Sequence, residues 1–251
     1  MVEQFTCTRS SGIFSTNLVQ MDAEEGVGYL APVTYHCLFR PALEKIKSAR
    51  SEDPEAVEAI DAVQQAFYQA DKDSPSFLFD LTKLLLKESQ LNINIQESYL
   101  RMQANAPTDD LELPELAHIT KYATISERAI HLRRVLARIP NEMADRRPFL
   151  ETIKEIAASI RDLLDVANEI VKNVPPTIHP VIEKRKREFV HYSKRFSNTL
   201  KEYFRDHDAS QVFVASNLLI FQTIHLIRSI RERVQPSMTN KDVTKGTTKS
   251  N

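Results

Sequence analysis

Apolar residues recur at intervals of three and four along most of the chain, the spacing that places them on one face of an α-helix. The stretch from Phe149 to Lys172 shows this most clearly, with Phe149, Ile153, Ile156, Ile160, Leu163, Ala167 and Ile170 at intervals of 4, 3, 4, 3, 4 and 3. A heptad of this regularity is typical of helices that cross at about 20° in a bundle. Alternation of apolar and polar residues is confined to a short stretch, Leu91 to Ile95. The pattern predicts an all-α protein.

Two helices are predicted in the first half of the chain. Asp53, an N-cap residue followed by a proline, opens a helix that runs through about Asp71. The next helix, Ser76 to Glu88, is apolar on nearly every side. A helical unit of roughly 70 residues could not cover so much apolar surface alone. We infer that this helix belongs to an oligomerisation interface.

Cap residues followed three positions later by glutamate predict the start of two further helices. Asn94 with Glu97 opens a short helix, and Thr124 with Glu127 opens the first helix of a bundle, which Pro140 is expected to end. The third helix of the bundle runs from Pro180 to Asp206. Its residues predicted to face inward are Phe189, Tyr192, Phe196, Leu200, Tyr203 and Phe204.

These elements divide the chain into a disordered tail (1–28), a helical domain (29–105), an acidic linker (106–123), a four-helix bundle (124–235) and a second disordered tail (236–251). The linker carries Leu111, Leu113 and Leu116 among acidic residues. It is either a solvated connection or a segment that docks in a basic groove of the same chain.

The overall charge gives no hint of a partner, because 33 Lys+Arg nearly balance 34 Asp+Glu. The distribution of charge along the chain does give one. Pro180 to Asp206 holds eight basic and four acidic residues, whereas Gln103 to Ala117 holds four acids and no base. This asymmetry indicates a partner surface in the second half. The most apolar helix, Gln211 to Ile230, is interrupted by polar residues, which predicts that it does not cross a membrane.

Several residue types argue against catalysis. The stretch from Tyr29 to Lys245 contains no glycine, so it lacks the loops that cradle phosphates and dinucleotides. Cys7 and Cys37 suggest no disulfide framework and a reducing cytosol. The seven histidines never pair at i and i+4, and the run of Asp206, His207 and Asp208 is expected to be a capping turn. We predict no enzyme activity, no cofactor and no metal.

Two helical stretches share one pattern, a basic, a small and a basic residue at positions i, i+3 and i+7. They are Lys154, Ala157 and Arg161 in the first, and Lys194, Ser197 and Lys201 in the second. Residues at this spacing share a helix face, so the two stretches side by side would form a shallow groove with a basic rim. An amphipathic acidic helix would fit it. The alternative is a solvated face, because exposed ion pairs contribute only about 0.2–1 kcal/mol.

A second basic feature is the run of four consecutive bases Lys184, Arg185, Lys186 and Arg187. It is interpreted either as the solvated start of a helix or as a contact with anionic lipid headgroups such as phosphoinositides.

Long ungapped segments of the chain resemble one known family. FLETIKEIAASIRDLLD, KREFVHYSKRFSNTLKEYF and VFVASNLLIFQTIHLI in the second half, with QQAFYQADKDSP and INIQESYLRM in the first, are similar to the programmed cell death protein 10 family, also called the third cerebral cavernous malformation protein. The likeness covers roughly Tyr29 to Val234. It implies an N-terminal helical dimerisation domain followed by a four-helix bundle of the focal-adhesion-targeting-homology type.

The resemblance also implies partners. Members pair with themselves or with the tail of germinal-centre kinases of the third subfamily, and the matching interface positions here are Val63, Ala66, Leu85 and Leu86. Their bundle binds leucine-aspartate helices of paxillin type, the second cavernous malformation protein and striatin, at positions that match the six groove residues. Arg161 stands where lysine is usual in the family, which keeps the charge and changes the hydrogen-bond geometry.

The sequence thus predicts a non-catalytic adaptor in kinase signalling, cell survival, and cytoskeletal, junction and Golgi organisation. The resemblance implies a cytoplasmic location with pools at the Golgi and the plasma membrane. The alternative function is a membrane-surface scaffold that binds anionic phosphoinositides through Lys184 to Arg187.

Overall fold

The computed structural model describes residues 28–245, and the side chains of residues 28–234, so most of the first predicted tail lies outside the described residues. Helix α1 consists of three consecutive segments, Ala31–Thr34, the π-helical Tyr35–Phe39, and Arg40–Ala49. It is followed by α2 (Pro54–Asp73), α3 (Phe77–Glu88), α4 (Ile95–Gln103), a 3₁₀ turn (Pro114–Leu116), α5 (Thr120–Glu142), α6 (Arg146–Asn173), α7 (His179–Asp206) and α8 (Ser210–Lys245). The described residues contain no strand, and the all-α prediction is confirmed.

Three of the predicted helix boundaries rest on side-chain caps. The carboxylate of Asp53 accepts a hydrogen bond from the backbone N–H of Ala56 at 3.1 Å, and Asn94 accepts one from Glu97 at 3.1 Å. Helix α7 ends at His207, which has a left-handed φ of 58°, and Asp208 then accepts a hydrogen bond from the N–H of Ser210 at the start of α8. The run of acids and histidine between α7 and α8 is thus a capping turn.

The predicted cap at Thr124 is wrong. Helix α5 begins four residues earlier, and the Thr124 hydroxyl donates to the carbonyl of Thr120 at 2.9 Å inside the helix. Burial of Tyr122 in the core stabilises this earlier turn. Pro140 does not end α5 but lies within its last turn, where its carbonyl accepts a hydrogen bond from Arg101 of α4. Tertiary contacts here override local signals.

Helices α5 to α8 form a four-helix bundle in which α5 packs along α6, α7 along α8, and α8 against α5. Helix α4 packs on this bundle against α5 and α8, so in the structure it belongs with the bundle and not with the helices before it. The same core takes in the chain from Tyr29 to Val33. The bundle is therefore the main body of the protein, and α1 begins inside it.

Helix α8 is the central element of the bundle. Over Ser210–Val234 it is long and apolar enough, by length and composition alone, to cross a membrane, but 67% of its most apolar window is buried within the protein. Several of its polar side chains also form hydrogen bonds inside the protein, since Ser216 and Thr223 donate to carbonyls of their own helix and Asn217 donates to the carbonyl of Gln96 of α4. These are the features of a core helix. The helix continues to Lys245, past the predicted tail boundary at 235, and Ser210–Lys245 contains no glycine that could end it earlier.

The acidic stretch after α4 is packed against the bundle, so its interpretation as a solvated linker is wrong. Leu111, Leu113 and Leu116 are all buried. They dock on α5 and α8, where Arg133 of α5 binds the Asp110 carboxylate at 2.9 Å and Arg231 of α8 donates to the carbonyl of Asp109 at 2.7 Å. The alternative docking site, the basic groove, is not where these leucines lie.

Candidate partner-binding surfaces

The two flanks of α6 have different neighbours, and this fixes which helix its groove residues adjoin. Glu155 binds Arg138 of α5 at 2.8 Å, and Asp162 lies 3.8 Å from Arg128 of the same helix. That flank therefore faces α5. The half-buried residues on the opposite flank face α7. They are Ile153, Ile160 and Leu164.

The contacts of α7 likewise show which of its flanks faces α8 and which faces α6. Arg185 and Glu188 lie close enough to His225 of α8 to influence its pKa, which burial lowers most and the charges of Arg228 and Arg185 lower further. This flank of α7 faces α8. Val190 and Ser197 occupy the flank on the other side of the helix and therefore face α6.

We call the surface between α6 and α7 the partner groove, defined by Lys154, Ala157, Arg161, Lys194, Ser197 and Lys201. All six residues are exposed. The two helices pack together less extensively than α5 with α6 or α7 with α8, as expected on the two sides of a shallow groove. The hydroxyl of Ser197 donates to the carbonyl of Ser193 at 3.0 Å. Its hydrogen is thus used within α7, and the floor of the groove presents small and apolar groups.

The cations of the partner groove differ in how far they are already neutralised. Lys154 pairs with Glu151 of its own helix at 2.8 Å, although both side chains are exposed. Lys201 lies 3.5 Å from the amide oxygen of Asn198. Within the described part of the chain, Arg161 and Lys194 form no ion pair. These two cations are the ones most available to carboxylates of a bound helix.

One end of the partner groove is more aromatic than the sequence indicated. Phe204, predicted to face inward, is 40% exposed because it lies in the last turn of α7, beyond the end of the core. With Phe149, Tyr203 and Met143 it lines a depression of about 370 Å³ at the turn between α5 and α6. The i, i+3, i+7 pattern contains no signal for this depression, because its residues come from three separate elements.

The basic run Lys184 to Arg187 does not form one surface. Consecutive residues of a helix point about 100° apart. Arg185 pairs with Glu188 and Lys186 with Glu183, each at 2.7 Å, so only Lys184 and Arg187 are exposed cations. This arrangement favours the interpretation as a solvated helix start, and contact with anionic lipid headgroups stays a prediction.

The helices before α4 carry a second surface, which is apolar. Helix α2 and the Arg40–Ala49 segment of α1 bury no residue at all. We call the apolar side chains left uncovered here the N-terminal apolar surface; the large ones that are exposed are Ile46, Val63, Tyr68, Phe77, Leu84, Leu85, Leu91 and Ile93. Helices without buried residues gain little from folding alone, and so much exposed apolar area marks a protein interface.

This surface contains three of the four interface residues expected from the sequence. Val63 is 44% exposed, Leu85 is 56% exposed and Ala66 is exposed, whereas Leu86 is half-buried. The sequence did not assign Ile46 or Tyr68 to an interface. The signal available was the apolar character of α3 on nearly every side, which also includes Leu84.

Comparison with known proteins places both halves of the chain in one family. Residues 27–92 match the family model described as the dimerisation domain of programmed cell death protein 10, and residues 93–189 match that of its C-terminal domain. The boundary between the two falls before α4, in agreement with the packing of α4 on the bundle. Half of the partner groove, Lys194, Ser197 and Lys201, lies beyond the second match.

A relative from Caenorhabditis elegans, described as programmed cell death protein 10 homolog, is 52% identical to this chain over 212 residues. The alignment covers 84% of this chain and 98% of that protein. The family is of the adaptor type and is not a known enzyme family. The resemblance expected from the sequence is therefore confirmed, and the chain belongs to the programmed cell death protein 10 family.

Proposed function

We propose that this chain is a non-catalytic adaptor that holds one protein at its N-terminal apolar surface and captures an acidic, leucine-rich helix in its partner groove. The observation that carries the proposal is the presence of two separate and chemically different surfaces. One is apolar and built from helices that bury few residues or none, and the other is rimmed by cations. A protein with two such surfaces can join partners of unlike chemistry.

For the N-terminal apolar surface, the proposed occupant is a helical segment of matching apolar character. It comes either from a second copy of the chain or from the tail of a germinal-centre kinase of the third subfamily. The match to a dimerisation domain supports pairing through this region. Large apolar interfaces of this kind resemble a domain core divided between two chains.

For the partner groove, the proposed occupant is an amphipathic helix of the leucine-aspartate type, as in paxillin-like or striatin-type proteins or the second cavernous malformation protein. Its apolar side would lie on Ile153, Ile160 and Ala157, and its carboxylates would face Arg161 and Lys194. Apolar anchors supply most of the affinity in such a groove, and charge sets the orientation. The proposed locations, cytoplasm with Golgi and plasma-membrane pools, would follow from these partners.

The first test reverses charge in the groove. Lys194→Glu with Lys201→Glu is expected to weaken binding of a fluorescent leucine-aspartate peptide about tenfold, because two attractions of up to about 1 kcal/mol become repulsions. Titration followed by fluorescence anisotropy measures this. A matched control reverses two exposed bases elsewhere, Lys184→Glu with Arg134→Glu, and is expected to bind as the unchanged chain does. Equal weakening by both pairs would show a non-specific charge effect and contradict the proposal.

A second test fills the groove without changing charge. Ala157→Phe places a large ring on the floor beside Ser197, and since Ala157 is exposed the bundle is expected to keep its stability within about 0.5 kcal/mol. Binding of the same peptide is expected to be lost within the range of the titration. Asp165→Phe, at an exposed position about two turns further along α6, serves as the control. Unchanged affinity of the Ala157→Phe chain would remove the groove as the binding site.

A further inference from the structure

Tyr29, near the start of the described residues, lies beside α7, the helix that carries half of the partner groove. Tyr29 is 4% exposed, its hydroxyl donates to the side chain of Gln96 at 2.6 Å, and its ring packs on Phe221 of α8 at a centroid distance of 6.3 Å. Burial raises the pKa of Tyr29, and the nearby guanidinium of Arg195 opposes the rise. Arg195 is on α7, next to Lys194. The first described residues, Gly28 and Tyr29, therefore lie alongside the middle of α7.

Residues 13–27 have the chemistry that the partner groove is built to receive. Phe14, Leu18 and Met21 are spaced i, i+4 and i+7, which places them on one face of a helix. Asp22, Glu24 and Glu25 follow, and this stretch contains no lysine or arginine. It is thus an amphipathic, acidic segment of the same class as the proposed external ligand.

The dimensions also agree. Met21 precedes Gly28 by seven residues, which span up to about 23 Å when extended. A helix is about 10 Å across, so this length suffices to pass from the α8 side of α7 to its α6 side. As a helix, Phe14 to Met21 would extend about 10 Å, equal to the distance between residues seven apart, such as Lys194 and Lys201.

We propose that residues 13–27 of this chain occupy its own partner groove and compete with the external helix. The apolar face of Phe14, Leu18 and Met21 lies on the groove floor, and the acids that follow face Lys194 and Lys201. The inference rests on the proposed function only in that both assign the same groove. A segment that occupies the groove nine tenths of the time weakens external binding about tenfold.

The experiment uses the full chain, which contains no tryptophan, so Phe14→Trp introduces a single reporter. The expected result is an emission maximum shifted to shorter wavelength relative to the urea-unfolded chain, and protection from iodide quenching. Both effects are expected to fall by about half when Lys194→Glu and Lys201→Glu are added, because a tenfold weakening lowers an occupancy of nine tenths to about one half, and to remain unchanged with Lys184→Glu and Arg134→Glu. Emission of a solvent-exposed tryptophan, unaffected by either pair, would overturn the inference.

A second measurement separates this inference from the proposed function. Leu18→Ser with Met21→Ser is expected to increase the affinity for the leucine-aspartate peptide about tenfold, while Val19→Ser, off the apolar face, leaves it unchanged. Equal affinity in all three chains overturns the inference and leaves the proposed function standing. A groove-dependent tryptophan signal with no peptide binding even in the doubly substituted chain overturns the proposed external ligand alone.

Discussion

Chains that carry Leu85→Asp together with Val63→Asp are expected to sediment as monomers under conditions where the unchanged chain is a dimer. The two side chains are 56% and 44% exposed in a single chain and lie on helices that bury little or nothing. Burial of one such side chain contributes about 1.5–3 kcal/mol, and a two-fold interface repeats each change in both copies. Association is expected to weaken at least about a hundredfold.

Sedimentation velocity over a range of concentrations measures this effect. The matched control is Leu150→Asp, which changes an exposed leucine on α6 of the bundle and is expected to leave the dimer intact. The same surface is tested for kinase pairing by Leu85→Ala with Leu86→Ala, which is expected to abolish co-purification with a germinal-centre kinase tail. A dimer that survives both aspartates would show that the chains associate elsewhere.

Replacement of Arg133 by alanine is expected to lower the free energy of unfolding by about 3–5 kcal/mol, the usual effect of breaking one side of a buried ion pair. The side chain of Arg133 is 2% exposed and that of Asp110 is 13% exposed. Arg133 also donates to the carbonyl of Pro107 at 2.7 Å and to that of Ala106 at 3.3 Å. Its loss leaves a carboxylate and two carbonyls without their donor.

Urea unfolding of the full chain measures the change, and hydrogen exchange shows whether residues 106–116 detach first. Arg134→Ala is the control, because Arg134 is the next residue on α5 but is exposed, and its replacement is expected to change stability by less than about 0.5 kcal/mol. A loss no larger than that of the control would mean that the segment is held by its leucines and not by the ion pair.

Features set by neighbouring residues were predictable from the sequence. The caps at Asp53 and Asn94 are completed within three residues, and the heptad of α6 repeats within one helix. Each half of the partner groove was predictable for the same reason. The alignment of the α6 half with the α7 half was not predictable, because it depends on how the two helices pack across the connection 174–178. The ion pairs that join α6 to α5 show which flank of α6 is left to face α7.

Features set by distant residues were not predictable. The acidic segment has the composition of a solvated linker. Its contact with Arg133, more than twenty residues further on, is not evident from the sequence. Thr124 has the local signature of a cap, but packing of Tyr122 moves the start of the helix. Phe204 keeps the spacing of the core and yet lies past its end. In the first two cases a long-range contact decides between structures that are locally equivalent.

Helix α2 gains no buried residue from the rest of its own chain, and this bears on how long the protein survives in a cell. A helix stabilised only by a partner opens readily when that partner is absent, and proteases cut the open form in proportion to its population. Unpaired copies would be degraded faster than paired ones. The amount of this adaptor would then follow the supply of whatever binds its first helices, and excess copies would be cleared without a dedicated regulator.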